Sequence, residues 1–298
     1  MEEFFAATIR GLGQGSLYAL LGLGFVMVYK STRVVNFAQP ALMILGAYFA
    51  SYFSITLGFG FWAALPLAIL AGALLGAVVE RLALRPMVGE PAFATAMVTV
   101  GIFIVLSVIA GDLIGSDIRR VGDPWGLKQT SLFGVVVFQV DLVKIAVAAV
   151  AIGALTVFLK RTRVGLAMRA TAYNQETSMA QGIPVGRMFA LSWALAGSLG
   201  AIAGAFVGSG GAGFTQNSGF IALKALPAIV LGGLDSTPGA VVGGLVIGLA
   251  ESYTKTYQSD LFPWAGANVD QVVPYVVMFI VLLVRPYGLF GTPEIERV

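Results

Sequence analysis

Residues Val34–Val79, VVNFAQPALMILGAYFASYFSITLGFGFWAALPLAILAGALLGAVV, contain no Asp, Glu, Lys or Arg. A helix crosses a hydrocarbon core of roughly 30 Å with about 20 apolar residues, so this run is too long for one crossing and supplies two. Gly58-Phe59-Gly60 is the natural break, because closely spaced glycines punctuate a helical pattern. The same reading extends outward. Gly11–Tyr29 precedes and stops at Lys30 and Arg33, and Pro91–Gly111 follows. Ile145–Leu159 is short and borrows its outer turn from Asp141–Lys144; Met188–Val207 and Gln271–Val284 complete the set. Residues 1–10 are expected to lie along the membrane interface or to fray. Their opening, Met1-Glu2-Glu3-Phe4-Phe5, is acidic where a cleaved signal sequence is basic, so the first span is expected to be retained.

Composition agrees. The chain has 298 residues, 58% hydrophobic and 11% charged, with a mean hydropathy of +0.89, whereas a soluble domain carries roughly 25% charged residues. No polar block is large enough to fold apart. Residues 1–298 therefore read as one all-α, polytopic transmembrane helical bundle of about 8–9 crossings. Without Cys or His there is no thiolate nucleophile, imidazole base or metal site of the usual ligand sets. The 18 Lys and Arg against 15 Asp and Glu sit in short clusters between apolar runs. That pattern orients a membrane protein rather than binding nucleic acid. No lysine follows a glycine, which excludes a Gly-rich phosphate loop ending in Gly-Lys. The chain has no motor of its own, and the cores of the spans as bounded above carry no charge.

The segment Lys224-ALPAIVLGGL-Asp235-STPGAVVGGLVIGLA-Glu251 decides the topology. Its two short apolar arms meet at a helix-breaking turn, so it reads as a helical hairpin, either two short crossings or a re-entrant pair. Gly232, Gly233, Asp235, Pro238 and Gly239 define it. Placing the most basic connection, residues 160–187, in the cytoplasm then gathers Lys30, Arg33, Arg81, Arg85, Lys160, Arg161, Arg163, Arg169, Arg187, Arg285 and Arg297 on that side, with the amino terminus outside. A single kinked span would instead bring the acidic stretch 251–270 inside. Four-residue glycine spacings (Gly11 and Gly15; Gly72 and Gly76; Gly200, Gly204 and Gly208; Gly239 and Gly243; Gly244 and Gly248) predict close helix packing.

The 160–187 connection carries helix signals that a solvated loop does not need. Ala167–Tyr173 is rich in helix formers, Asn174 is placed to cap a second short helix with Glu176 near its start, and Gly182 with Pro184 ends it. It reads as a structured elbow. Polar groups within apolar spans, namely Gln14, Ser16, Asn36, Gln39, Thr95, Thr99, Ser192 and Ser198, are the candidate path residues. The outer connection, residues 112–144, mixes charges with Trp125 and ends in an alternating run, Leu132–Phe138, that suggests a β-hairpin.

The segments Gly165-LAMRATAYNQETSMAQG-Ile183, Gly15-SLYA-Leu20 with Val34-VNFA-Gln39 and Leu45-GA-Tyr48, and Val230-LG-Gly233 with Gly239-AVVG-Gly244 resemble permease subunits of branched-chain amino acid ABC importers. The likeness covers nearly the whole chain. It implies ATP-driven alternating access and an elbow that docks on an ATPase through Gly165, Arg169, Ala170, Asn174, Glu176 and Gly182. It further implies two ATPase subunits, which hold ATP and Mg, a longer paralogous permease as heterodimer partner, and an extracytoplasmic binding protein that lands partly on 112–144. The location implied is a bacterial inner membrane. Two departures stand out: Asn36-Phe-Ala-Gln39-Pro40 where the family commonly reads Asn-Phe-Ala-His-Gly, and Asp235 where glycine is common. Related permeases carry urea, amides or aromatic acids, so the solute stays open. The rival of another class is a passive channel for a small polar solute; an enzyme is disfavoured, because no acid–base pair or nucleophile set falls within the spans.

Overall fold

The computed structural model describes residues 1–132, 134–211, 213–261 and 268–292. Arg297, counted above among the inward charges, lies outside them. The helices in chain order are α1 (Glu2–Thr32), α2 (Gln39–Ser51), α3 (Phe61–Val79), α4 (Ala92–Ile114), α5 (Gln139–Arg161), α6 (Arg163–Tyr173), α7 (Gln175–Ala180), α8 (Val185–Val207), α9 (Ala225–Gly232), α10 (Thr237–Leu261) and α11 (Val273–Val284). Single π-helical turns extend α2 over Tyr52–Thr56 and α3 over Glu80–Leu84. The chain reverses between them at Gly58 and Gly60, whose φ values of 72° and 71° suit residues without a Cβ. The division of the long charge-free run is thus the one its glycines mark.

Among the described residues, five helices are long and apolar enough to cross a membrane: α1, α3 with its extension, α4, α5 and α8. Residues 1–10 neither lie flat nor fray, because α1 begins at Glu2 and runs 31 residues without a break. The connections are also tighter than the charges suggested. Asp112 and Asp141–Lys144 belong to α4 and α5, leaving 115–138 as the outer connection, and the elbow proper is 162–184 between α5 and α8.

The 224–251 segment is a hairpin, but its arms are unequal. The first arm is α9, only 8 residues, entered through a nine-residue 3₁₀ stretch, Gln216–Lys224. At about 2.0 Å per 3₁₀ residue and 1.5 Å per α-helical residue, the two together reach roughly 30 Å, one membrane thickness. The second arm is not short: α10 continues ten residues past Glu251 to Leu261. Gly233, at φ 104°, makes the turn between them.

Packing is set by glycine. A methyl group added at Gly248 would lie 2.3 Å from the Gly15 backbone, and one at Gly244 2.5 Å from Ala19, so α1 and α10 touch main chain to main chain. Gly197 and Gly72 face each other across the α3–α8 seam, where a Cβ on Gly197 would lie 2.0 Å from the Gly72 carbonyl. Gly204 meets the Met43 carbonyl of α2 in the same way. In lipid this close approach replaces the hydrophobic drive between helices. Gly208 departs from the expected seam: it packs on Phe214 and Val121 of the loops instead. Helices α1, packed on α5, α8, α9 and α10, and α8, packed on α1, α2 and α3, form the core of the bundle.

The outer connection forms an ordered cap. β1 (Gln129–Leu132) and β2 (Val135–Phe138) pair antiparallel, from Gln129 with Phe138 to Leu132 with Val135. Trp125 stacks on Phe206 at 5.9 Å, and Phe61 meets its edge at 4.9 Å. Ser51 and Ser54 donate to the Arg120 and Val121 carbonyls at 2.7 and 2.6 Å.

Candidate functional site

At the other end of the bundle from the cap, the elbow is two helices held by side-chain caps. Thr162 accepts from the Gly165 N–H at 2.9 Å, and Asn174 accepts from the Thr177 N–H at 2.8 Å. These satisfy orphan donors at each helix start. Asn174 performs the capping its position predicts; the Thr162 cap, which starts α6 four residues before Ala167, was not anticipated. Gly182, at φ 78°, follows the end of α7.

The elbow is tied to the bundle rather than hung from it. Gln175 Nε2 donates to the Ser31 carbonyl of α1 at 2.9 Å. Gly165 is buried where a Cβ would lie 2.3 Å from the Phe158 carbonyl of α5. Arg85 Nη2 donates to the Gly186 carbonyl at 2.8 Å, joining the end of α3 to the start of α8, and pairs with buried Glu80 at 3.3 Å. A displacement of the elbow must therefore carry α1, α5 and α8 with it. The six elbow residues divide accordingly. Arg169, Asn174, Glu176 and Gly182 are exposed and Ala170 half-buried, whereas Gly165 is a packing residue with no outer surface. Tyr173, 91% exposed, and the exposed Leu166 and Met179 were not singled out from the sequence.

A second site lies where the 3₁₀ arm gives way to α9. Lys224 Nζ is paired with Glu251 Oε1 of α10. Tyr18 Oη donates to Glu251 Oε2, and Gln14 Nε2 donates to Tyr18 Oη at 3.0 Å. Tyr18 is fully buried and Glu251 nearly so. This corrects the expectation of charge-free span cores: α10 is longer than its apolar run, and its continuation carries a carboxylate into the bundle. Lys224 and Glu251 were visible as opposite charges bracketing the hairpin, but they read as its ends. The buried pair fastens the non-α arm to both α1 and α10, as irregular backbone at membrane depth requires.

The hairpin tip is closed by glycine and by the chain's last described residues. Gly232 and Gly239 face each other, each so close to the other's carbonyl that a Cβ would lie within 2.2 Å of it. The Leu289 and Phe290 N–H groups donate to the Leu231 and Gly232 carbonyls at 2.8 and 3.0 Å. Asp235 accepts from Thr292, and Pro238 is exposed.

Of the eight candidate path residues, three lie buried together at the start of α2. Asn36 Nδ2 donates to Gln39 Oε1 at 3.2 Å, and Gln39 Nε2 to the Ala196 carbonyl of α8 at 3.1 Å. The Phe37 N–H donates to Thr99 Oγ1 at 3.1 Å. Gln39 lies against Gly24, where a Cβ would come 2.5 Å from its Nε2. These residues start α2 inside the bundle and pin it to α4 and α8; both Asn36 and Gln39 are completely buried. Gln39→Leu is expected to cost about 2 kcal/mol, because it strands the buried Asn36 amide; a shift in the thermal midpoint of the detergent-purified chain measures it. Ser16, Thr95, Ser192 and Ser198 each bond a carbonyl of their own helix. Gln14 belongs to the Tyr18 network. The eight residues do not converge on one cavity.

Residues 7–282 match the family model described as branched-chain amino acid transport system / permease component. The high-affinity branched-chain amino acid transport permease BraD of Pseudomonas aeruginosa is 31% identical over 99% of this chain and 98% of its own. LivH of Escherichia coli K12 is 30% identical at the same coverage. A probable branched-chain amino acid transport permease, LivH of Methanocaldococcus jannaschii, is 28% identical over 93% of this chain. In fold, a solved chain assigned to the metal-chelate type of ABC transporter, in an inward-facing conformation, aligns with a TM-score of 0.52 over 94% of this chain and 87% of its own at 16% identity. A multi-pass helical bundle, alike from end to end to these permeases, belongs to the family of branched-chain amino acid transport system permease components.

Proposed function

We propose that this chain forms half of the transmembrane pathway of an ATP-driven importer for branched-chain amino acids, in a bacterial inner membrane, with the elbow facing the cytoplasm. It pairs with a longer paralogous permease. Two ATPase subunits, which bind ATP and Mg, close against the elbows, and an extracytoplasmic binding protein delivers solute to the cap. The observation that carries this reading is the elbow itself: a capped two-helix lever with exposed Arg169, Tyr173, Asn174 and Glu176 on one side and rigid ties to α1, α5 and α8 on the other. A closing motor displaces the lever, and the ties convert that displacement into tilting of the central helices. The solute then meets an altered opening. Exposed Ile118, Leu127 and Val136 offer the cap's apolar landing surface. Uptake of urea, amides or aromatic acids in place of leucine would revise the solute and keep the machine.

The test is purification in mild detergent with the neighbouring subunits, followed by uptake into vesicles. ATP-dependent leucine accumulation and co-purifying ATPase chains are expected; uptake indifferent to ATP would establish the passive channel instead. Tyr173→Asp is expected to lower ATP-driven uptake at least about tenfold, because it places a charge in an apolar docking contact, while membrane insertion stays normal. Uptake unchanged by that substitution would remove the elbow from the coupling pathway.

A further inference from the structure

Beside the elbow, α5 and α10 both pack on α1 but leave a groove of about 430 Å³ between them. Leu23 and Met27 of α1 form its floor, and Leu155 of α5 and Val242 of α10 its walls. Its rim carries three cations: Lys30 at the last turn of α1, Lys160 at the last turn of α5, and Arg169 of α6. Among the described residues none of the three has a carboxylate within ion-pair distance. Asp235 is the acidic group close enough to act on Lys30, and it is already held by Thr292.

We propose that this groove is a binding site for one anionic phospholipid, its phosphate at Lys30, Lys160 and Arg169 and an acyl chain along Leu23, Met27, Leu155 and Val242. Lys30 and Lys160 sit in the last turns of α1 and α5, where apolar helices meet headgroups, Arg169 of α6 lies on the same rim, and the apolar slot runs from them into the bundle. Three positive charges on one rim, none with an ion-pair partner among the described residues, repel a choline headgroup and attract a phosphate of net negative charge. A small soluble anion would use the rim but gains nothing from apolar walls. The occupant also completes the structure, since it covers the side of α1 that α5 and α10 leave open. The proposal rests on the membrane reading; it assigns Arg169 to the lipid phosphate and leaves Tyr173, Asn174 and Glu176 to the ATPase contact.

The experiment is native mass spectrometry of the assembled transporter after reconstitution in equal parts phosphatidylcholine and phosphatidylglycerol. Phosphatidylglycerol is expected to be retained over phosphatidylcholine by about tenfold or more. The combined variant Lys30→Gln, Lys160→Gln, Arg169→Gln is expected to lose that preference. Val242→Trp, which fills the slot and leaves every cation in place, is expected to lose it as well, and keeps the test decisive if the triple variant does not fold. Arg187→Gln, an exposed cation outside the groove, is expected to keep it. Equal retention of both lipids, or a preference unchanged in the triple variant and Val242→Trp, overturns the site. Displacement by inorganic phosphate would make it a soluble-anion site, and cross-links from position 242 to a polypeptide would make it a subunit contact; either result also overturns the lipid assignment.

Discussion

Glu251→Ala is expected to cost the bundle about 3 to 5 kcal/mol, the penalty of stranding one member of a buried ion pair. Lys224 would lose its partner at the junction where the 3₁₀ arm becomes α9, and Tyr18 Oη would lose its acceptor. The side chains are not perfectly enclosed, 11% exposed for Glu251 and 22% for Lys224, so the lower end of that range is the better figure. The decisive comparison is the double variant Glu251→Leu with Lys224→Leu. Replacing a whole buried pair by apolar side chains is often neutral, so the double variant should recover most of the thermal midpoint that the single variant loses. A single variant as stable as the parent would show that the pair does not hold the arm.

Gly197→Leu should prevent the native fold from forming at all. Its Cβ alone would lie 2.0 Å from the Gly72 carbonyl, and 3.5 Å from the Gly76 nitrogen, on a seam with backbone on both sides and no flexible side chain to yield. Even Gly197→Ala must separate α3 from α8, an overpacking cost of about 1 to 3 kcal/mol. The control is Gly153→Ala in α5, where nothing lies within 4 Å of the added carbon. That change should be silent or should stabilise by up to about 1 kcal/mol through helix propensity. Monodisperse yield in detergent and the midpoint of thermal unfolding report both. Equal behaviour of the two alanine variants would mean that close packing at the seam carries no energy.

The crossings were legible because lipid imposes one simple demand, uninterrupted apolar length, and residues such as Gly58, Gly60 and the elbow's Asn174 sign their own breaks. The glycine seams were legible from spacing for the same reason. What escaped was information that only folding assembles. Tyr18 reads as one more apolar position, and Glu251 reads as the end of a run, until α1 and α10 lie antiparallel and bring them together. The polar candidates within spans show why polarity alone is a weak marker: a serine in an apolar helix bonds its own i−4 carbonyl, as Ser16 and Ser192 do. Gln39, a path candidate, is held between Asn36 and the Ala196 carbonyl of α8.

The 3₁₀ arm has a consequence for how the molecule is made. A translocon scores each emerging segment for partition into lipid, and a central lysine is penalised by about 2.5 to 3.5 kcal/mol. Residues 216–232, with Gln216, Asn217 and Ser218 at the entrance and Lys224 halfway, are a poor candidate for insertion as they leave the ribosome. Only after Glu251 has been synthesised does Lys224 acquire its counter-charge. Insertion of residues 216–232 is therefore expected to wait for α10, and biogenesis of this permease becomes a matter of pairs rather than of single helices.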